Sequence, residues 1–278
     1  MAPSRAAGGV ALFGKNSDRP PQEPQVLEHH PARTESSTTT TYLTIPAREG
    51  STHAVTGSRP AWMWGFEHGV NDAGVAAGNA TIYTTLDPRL FPAALTGMDL
   101  VRLVLERAAT AAAGVIVLTD LLEAHGQGGS GHAGEERAYW SSVLLADATE
   151  AWVVETSGRT WAAESAGATR ALSNRTTIPA FDAEHRHPRQ PVEALVDPRL
   201  DATRAFLAGA GSVGAADVQD HLASHVGGAD GWTVCMHVEG VEATTASLVA
   251  ELHPGGRSVL WAAAGPPCTN PYETVAAG

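Results

Sequence analysis

The sequence predicts an α+β protein built mainly from antiparallel sheets. Short apolar or β-branched runs alternate with Gly, Asn and Asp turns, which is typical of β-hairpins. The strongest helical signal is confined to one stretch, residues 98–124, that lies between such hairpins. The 278 residues can bury one full core, and we expect a single domain over residues 1–278.

Composition and charge narrow the class of function. Hydrophobic residues make up 43% and charged residues 17%, as in a folded globular protein. The formal charge of −12 argues against binding to nucleic acid or to an anionic membrane surface. No apolar run has the length of a membrane span or of a signal-peptide core, so we expect a cytoplasmic protein with a small ligand. A homo-oligomer is compatible with the sequence.

The N-terminal part begins with a short buried strand followed by a polar cluster. Residues 9–13 are apolar and bounded by glycine, which predicts a strand that ends where the cluster begins. Side chains alternate along an extended chain, so Lys15 and Ser17 would face one way. Asn16 and Asp18 would then face the other. The cluster is either a solvated loop or the wall of a functional site.

The next strands surround an aromatic segment. Residues 38–45 are β-branched and predict one strand, and another is expected at residues 53–56. The segment around Trp64 has no helical period, so its tryptophans pack on a sheet or line a pocket. A hairpin is predicted over residues 71–83, where Gly and Ala residues leave space beside Asn79 on the second strand.

The helical run predicts two helices rather than one. Apolar residues recur at helical spacing, and a break is expected near Ala109. Thr110 would be the N-cap of the second helix and Gly126 its C-cap. The glycine-rich loop over residues 126–132 lacks the Lys-Ser/Thr ending of a phosphate-binding loop, so we expect no phosphate there.

The C-terminal half is predicted to return to strands. A hairpin is expected at residues 142–146 and 151–156, with a third strand at 160–163. A strand ending in a polar triplet, an irregular connection, a helix and three more strands follow, in order, at residues 169–175, 180–200, 215–225, 232–237, 244–252 and 258–265.

Cysteine and histidine spacing does not predict a metal site. Cys235 and Cys268 lack Cys-x-x-Cys spacing and are expected to be reduced and buried. His221 and His225 are spaced i, i+4 on a predicted helix, but no Glu base is near, which favours a surface helix over zinc. We therefore expect no metal and no cofactor.

The chain has no obvious nucleophile of the serine-hydrolase kind. A Gly-x-Ser-x-Gly elbow is missing from the sequence. Cys235 lies in a predicted apolar strand, where burial raises the pKa of a thiol and makes it inert. His237 follows on the same strand face, so a thiol hydrolase built on this pair is one alternative.

Several motifs carry a resemblance to a known family. They lie at residues 13–20 (FGKNSDRP), 58–65 (SRPAWMWG), 97–103 with 105–107, 125–129, 150–156 and 244–247. Taken in order along nearly the whole chain, they resemble the secernins and the related bacterial cysteine dipeptidases.

This resemblance implies an N-terminal nucleophile hydrolase, a four-layer αββα sandwich of two antiparallel sheets, which agrees with the α+β pattern. It also implies a short peptide or amide substrate. In that superfamily the first residue of the mature chain attacks the substrate and its own α-amine is the general base. The pKa of an α-amine is about 8, so the base is available near neutral pH.

By the same resemblance, four residues belong to the catalytic machinery. Lys15 and Asp18 would lie beside the nucleophile, with Asp18 accepting a hydrogen bond from its amine. Asn79 would donate to the developing oxyanion, and one such donor is worth about 3 kcal/mol. Asn174 would lie near the substrate carbonyl or carboxylate. The alternative for both asparagines is hydrogen bonding to backbone at strand ends.

Substrate contacts are predicted at Asn16, Arg19 and Trp64. The cysteine that family members carry ahead of the Gly-Lys-Asn-Ser motif would fall about three residues before Met1, and Ala2 has no nucleophilic atom. We therefore expect one of two cases. Either a longer chain supplies the cysteine of a dipeptidase, or this is a non-catalytic secernin-like protein that keeps the fold and pocket for binding.

Overall fold

A computed structural model describes residues 1–134, 136–209 and 211–276. Its strands are β1 (Ala11–Arg19), β2 (Gln25–His30), β3 (Ser37–Thr39), β4 (Thr44–Pro46), β5 (Val55–Pro60), β6 (His68–Asn71), β7 (Ala76–Ile82), β8 (Trp140–Ala146), β9 (Ala151–Ser157), β10 (Thr160–Ser165), β11 (His237–Val238), β12 (Glu242–Leu252), β13 (Ser258–Ala263) and β14 (Glu273–Val275). Its α-helices are α1 (Gly97–Arg107), α2 (Ala111–His125), α3 (Pro179–His185), α4 (Asp197–Gly209) and α5 (Ala215–Leu222).

The strands form two large antiparallel sheets and one small hairpin. The seven-stranded sheet has the order β10-β9-β8-β7-β6-β5-β2. The five-stranded sheet has the order β1-β12-β13-β14, with β11 paired to β12 as well. Strands β3 and β4 pair only with each other in the described residues. The predicted hairpins over residues 71–83 and 142–156 are confirmed.

The sheets pack face to face, with helices outside them. Side chains from both sheets share one apolar cluster, which includes Phe13, Val70 and Leu248. Helices α1 and α2 cover the seven-stranded sheet, and α5 crosses β1 and β12 on the other side. A Cβ at Gly14 would lie 2.7 Å from Val218 Cγ1, so α5 needs this glycine to pack closely. The predicted four-layer αββα sandwich is confirmed.

The helix pair begins and ends as the sequence predicts. Helix α1 ends at Arg107 and α2 begins at Ala111, on either side of the predicted break. The Thr110 hydroxyl accepts a hydrogen bond from the Ala113 N–H, which satisfies one free donor of the first turn. Gly126 ends α2 at φ 76°, a conformation that favours glycine. Among the described residues, no helix is both long enough and apolar enough to span a membrane.

Strand β1 is longer than predicted. It continues through the polar cluster to Arg19 instead of ending near residue 13. The reason is pairing with β12, which follows a regular register to Ser17 and shifts by one residue before Asp18. The polar side chains therefore stand on a strand, and the interpretation as a solvated loop is wrong.

Four other predicted elements differ from the structure. Residues 38–45 form two short strands joined by a turn, in which Thr40 N donates to Leu43 O at 2.7 Å. Residues 169–175 form no strand, and only the last residue of the predicted strand 232–237 is in one. The predicted irregular connection over 180–200 contains all but the first residue of α3 and the first turn of α4, because proline is compatible with a first helical turn.

Candidate active site

A cavity of about 420 Å³ lies between the two sheets. One side is formed by β1, by Glu67 and by β7, which we call the strand side. The other is formed mainly by residues 170–174 and 190–199, which we call the loop side. Six of the seven predicted site residues line it, namely Lys15, Asn16, Asp18, Arg19, Asn79 and Asn174.

Lys15 is the only lysine in the chain, and it extends from β1 across β7. A Cβ at Gly78 would lie 2.6 Å from Lys15 Cδ, so the missing side chain makes room for the lysine. The Lys15 Nζ lies 3.7 Å from Glu67 Oε2 and donates to Ser17 Oγ at 3.4 Å. Burial lowers the pKa of Lys15, and the charges of Glu67 and Asp18 only partly oppose this.

Glu67 is the anionic centre of the strand side, and the sequence did not single it out. Its Oε1 accepts a hydrogen bond from Arg19 Nη1 at 2.6 Å. Burial disfavours the ionised carboxylate, but the charges of Lys15 and Arg19 outweigh it and hold the pKa of Glu67 below its usual value. Arg19 is 3% exposed and also donates to Glu23 and to the Gly131 carbonyl. Its guanidinium is thus largely occupied by protein acceptors.

Asp18 faces the cavity with two partners from elsewhere in the fold. Its Oδ1 accepts a hydrogen bond from Thr244 Oγ1 at 2.7 Å, and its Oδ2 lies 3.7 Å from Arg199 Nη1. Burial raises the pKa of Asp18, and the charge of Arg199 and the Thr244 hydrogen bond do not fully compensate. The carboxylate is therefore a ready acceptor for an ammonium group.

Arg199 joins the two sides of the cavity and was missed by the sequence reasoning. Besides its pairing with Asp18, its Nη2 donates to Asn174 Oδ1 at 3.1 Å. Asn174 Nδ2 in turn donates to the Thr81 carbonyl of β7 at 3.1 Å. Arg199 lies in the first turn of α4, where a cation is unfavourable next to the helix dipole. In the sequence, the Asp197-Pro198 pair is typical of a helix start and could have located the helix that carries Arg199.

Asn79 is buried on β7 beside Glu67. With its amide nitrogen turned toward Glu67, it donates to the Glu67 backbone O and to Oε2, each at 3.2 Å. Helix α1 approaches closely here, since a Cβ at Gly97 would lie 2.8 Å from the other terminal atom of the Asn79 side-chain amide. Donation to an oxyanion would require one of the two Glu67 contacts to be exchanged for the substrate oxygen.

The remaining two predicted residues have different surroundings. The Asn16 Nδ2 donates to the Leu222 and Val234 carbonyls, both at 2.8 Å, and its Oδ1 accepts from Ser247 Oγ at 2.6 Å. Asn16 therefore ties β1 to the segments around it. Trp64 is not among the described residues that line the cavity; instead the Arg102 guanidinium stacks on its ring, 4.2 Å from the centroid.

The cavity is cationic although the protein is acidic. Among the described residues, the lining contains five Lys or Arg residues and three Asp or Glu residues, whereas the chain carries a formal charge of −12. Arg137 is paired with Glu242 at 2.9 Å, and Arg170 with Glu164 at 2.7 Å. Arg199 has a looser ion pair than these, which leaves it freer to meet an anionic group of a ligand.

The Cys235 and His237 pair lies away from this cavity. Val234 and Met236 line it, but neither Cys235 nor His237 is among its described lining residues. Cys235 Sγ lies 3.5 Å from His237 Nε2, yet burial raises the pKa of the Cys235 thiol to about 12. The geometry does not support a thiol hydrolase built on this pair. His221, the other histidine considered, contacts Thr203 Oγ1 at 3.0 Å.

The two-sheet sandwich and its polar cavity define the chain as having the fold of the N-terminal nucleophile hydrolases. Two variant forms of conjugated bile acid hydrolase from Clostridium perfringens superpose with TM-scores of 0.58 and 0.55 at 12% and 10% identity. Each match covers 99% of this chain and 95% of the other. The Caenorhabditis elegans ortholog of N-acylethanolamine-hydrolyzing acid amidase gives 0.53 at 12% identity, covering 88% of this chain and 89% of that one.

The family can be stated more closely than the fold. The model of peptidase family C69 matches residues 17–196, which is more than half of the chain. The chain therefore belongs to peptidase family C69, and the resemblance to secernins and bacterial dipeptidases is confirmed.

Proposed function

We propose that the cavity hydrolyses the amide bond of a dipeptide or similarly short peptide, using the thiol of a cysteine located before Met1 in the active chain. Membership of a peptidase family supports amide hydrolysis. The position of the nucleophile is supported by how Met1 pairs with β1.

The pairing of Met1 with Leu12 is the observation that carries this proposal. The Met1 amine donates to Leu12 O at 2.6 Å, and Leu12 N donates to Met1 O at 2.9 Å. The two residues thus form an antiparallel pair on the edge of β1 that faces away from β12. Each step back from Met1 advances one residue along β1, so the third residue before Met1 would lie opposite Lys15. Opposed residues of an antiparallel pair share a face, which directs that side chain into the cavity.

The surrounding groups suit a cysteine with a free α-amine. The amine takes the thiol proton, the thiolate attacks the substrate carbonyl carbon, and the leaving amine takes the proton back as the C–N bond breaks. Water then hydrolyses the thioester and releases the acid. Asp18 would hold the ammonium form, Lys15 would offset the charge near the thiolate, and Asn79 would donate to the oxyanion.

The cationic lining supports a substrate with a free carboxylate. Arg199 is loosely paired and is held beside Asn174, so these two residues form the proposed carboxylate contact. Arg is well suited to carboxylates because its planar fork can donate two parallel hydrogen bonds. A dipeptide places such a carboxylate one residue from the amide bond to be cleaved.

The test is to read the coding sequence upstream of Met1 and to express the chain from the first in-frame cysteine with its α-amine free. We expect cleavage of dipeptides, loss of cleavage when that cysteine is replaced by serine or alanine, and a trapped acyl-thioester by mass spectrometry. Lys15→Met should lower kcat strongly, whereas Arg204→Met on the exposed side of α4 should not. The proposal would be overturned if the extended protein, carrying the upstream cysteine, cleaved none of the dipeptides in a panel.

The same preparations distinguish the non-catalytic alternative. A secernin-like binding protein would bind dipeptides in the cavity by calorimetry without cleaving them, and it would have no cysteine in frame ahead of Met1. This alternative would be favoured if the wild type bound dipeptides but formed no product at any protein concentration, and if Arg199→Met lost that binding.

A further inference from the structure

A second cluster of reactive side chains lies outside the cavity, where two cysteines and two histidines meet. The four residues are His225, Cys235, His237 and Cys268, and one ligand atom from each lies within 4.8 Å of all the others. His237 Nε2 is 3.5 Å from Cys235 Sγ and 3.1 Å from Cys268 Sγ. The rings of His225 and His237 meet edge to face, with centroids 5.2 Å apart.

These separations are close to those of a tetrahedral zinc site. Zn–S bonds of about 2.3 Å and Zn–N bonds of about 2.0 Å place neighbouring ligand atoms roughly 3.3–3.8 Å apart. The two sulfur–nitrogen distances of 3.5 and 3.1 Å lie near that range, and all four ligand atoms lie within 4.8 Å of one another. We propose that these four residues bind one Zn²⁺ ion as a Cys₂His₂ site.

The backbone holds the ligands of this Cys₂His₂ site in place. Cys235 N donates to Ser224 O at 2.9 Å and Val234 N donates to Val226 O at 3.0 Å, so paired backbone flanks His225 on both sides. Cys268 lies in a turn that is closed by hydrogen bonds to the Pro266 carbonyl from the N–H groups of the next two residues, at 3.1 and 2.9 Å. Binding would therefore need only side-chain adjustment.

The chemistry of the donors selects the ion. Two thiolates and two neutral imidazoles are the ligand set of structural zinc sites, and thiolates do not suit Mg²⁺ or Ca²⁺. Two thiolates also balance the charge of one Zn²⁺. His225 and His237 are exposed and Cys268 is half-buried, so the ion can reach the site from solvent.

The sequence alone argued against this Cys₂His₂ site, because its ligands have no Cys-x-x-Cys spacing. Only Cys235 and His237 are close in the sequence. The fold brings the segment that follows α5 and the connection between β13 and β14 to them. Four zinc-type ligands from three separate segments therefore meet at one point, which periodicity and motif spacing cannot reveal.

The ion would act as a clamp behind one wall of the cavity. The neighbours of Cys235 in sequence, Val234 and Met236, line the cavity, and the Val234 carbonyl accepts a hydrogen bond from Asn16 of β1. Fixing Cys235 and His237 thus fixes this wall. Zinc binding itself does not depend on whether the cavity is a hydrolase site.

The first test is metal content and spectroscopy of the whole chain, purified under a non-thiol reductant. We expect one zinc per chain by elemental analysis, and thiolate-to-metal absorption when Co²⁺ replaces the zinc. Cys268→Ser and His237→Ala should each weaken Co²⁺ binding by at least about tenfold, since even residues that only orient a ligand affect metal affinity 10- to 100-fold. His187→Ala, an alteration of a loop histidine elsewhere, should bind as the wild type does.

The second measurement is thermal stability with and without a chelator. Chelation should lower the Tm of the wild type and of His187→Ala, but not that of Cys268→Ser, whose folding is judged from its circular dichroism. Reduced wild-type protein that takes up no stoichiometric zinc would overturn the proposal. A Cys235–Cys268 disulfide in protein that fails to bind zinc after reduction would overturn it in favour of a redox pair.

Discussion

The strand side and the loop side of the cavity hold their polar groups in different ways. Lys15 and Asn79 project from strands that are paired along their length, and Glu67 directly precedes β6. Asn174 and Arg199 are held instead by hydrogen bonds between side chains and to single carbonyls. The backbone ladder therefore fixes the strand side before any ligand arrives, whereas the loop side can adjust to a ligand at low cost.

The largest expected effect comes from removing the strand-side anion. Glu67→Gln leaves the buried charges of Lys15 and Arg19 without their shared partner, which should cost about 3–5 kcal/mol of unfolding free energy. Urea denaturation followed by fluorescence measures this. The matched control is Glu164→Gln, whose pair with Arg170 is more exposed and should contribute at most about 1 kcal/mol. Equal losses in the two variants would contradict the contrast between the sides.

The next effect is a pH dependence on the loop that carries His132. Burial and the charges of Arg19 and Arg137 lower the pKa of His132 from 6.5 to about 4. Between these values the unfolded chain binds the proton and the folded chain does not, so stability is fully present above pH 6.5 and falls as pH drops toward 4. The loss can reach about 3 kcal/mol.

Denaturation midpoints measured across this pH range test the role of His132. In His132→Asn the dependence on pH in this window should be shallower than in the wild type. Parallel pH profiles for the two proteins would show that another group titrates there.

A smaller effect is expected from filling the space beneath Lys15. In Gly78→Ala the new Cβ would meet Lys15 Cδ at 2.6 Å, and overpacking of this kind costs about 1–3 kcal/mol. The control is Gly209→Ala, where no atom of the described residues beyond its own stretch of helix lies within 4 Å of the new Cβ. Thermal unfolding should separate the two variants, and a Gly78→Ala protein as stable as the control would show that Lys15 moves freely.

The smallest effect is expected on the loop side. Asn174→Ala removes the hydrogen bonds to the Thr81 carbonyl and from Arg199, for a loss of about 1 kcal/mol. The double variant Asn174→Ala with Arg199→Met should lose less stability than the sum of the two single losses, because both substitutions remove the hydrogen bond between these residues. Strict additivity in the double-mutant cycle would mean that this bond does not couple the two residues.

Local patterns were enough to predict an α+β chain of antiparallel hairpins with one helix pair, whereas the layered αββα arrangement was implied by the family resemblance. Alternating runs with turn residues located the hairpins, and the caps at Thr110 and Gly126 located the helix pair. These features depend on neighbours in sequence, which is the range that periodicity reports. The same patterns drew attention to the polar cluster of β1 and to Asn79, but the catalytic roles assigned to these residues came from the family resemblance.

Features that depend on distant contacts were not predicted. The strand character of residues 14–19 comes from pairing with β12, more than two hundred residues away. Glu67 and Arg199 become site residues only through partners on β1, and the cysteine and histidine cluster needs three separate segments. Trp64 was assigned to the substrate from its aromatic surroundings, whereas its ring packs against Arg102.

The single lysine has a practical consequence for chemical labelling. Because Lys15 carries the one side-chain amine of the chain and lines the cavity, amine-directed acylating reagents have only it and the α-amine to modify. Burial lowers the pKa of Lys15, so a larger share of this amine is in the nucleophilic, unprotonated form than for an ordinary lysine. The rate of labelling at this one position therefore reports directly on whether a ligand occupies the cavity.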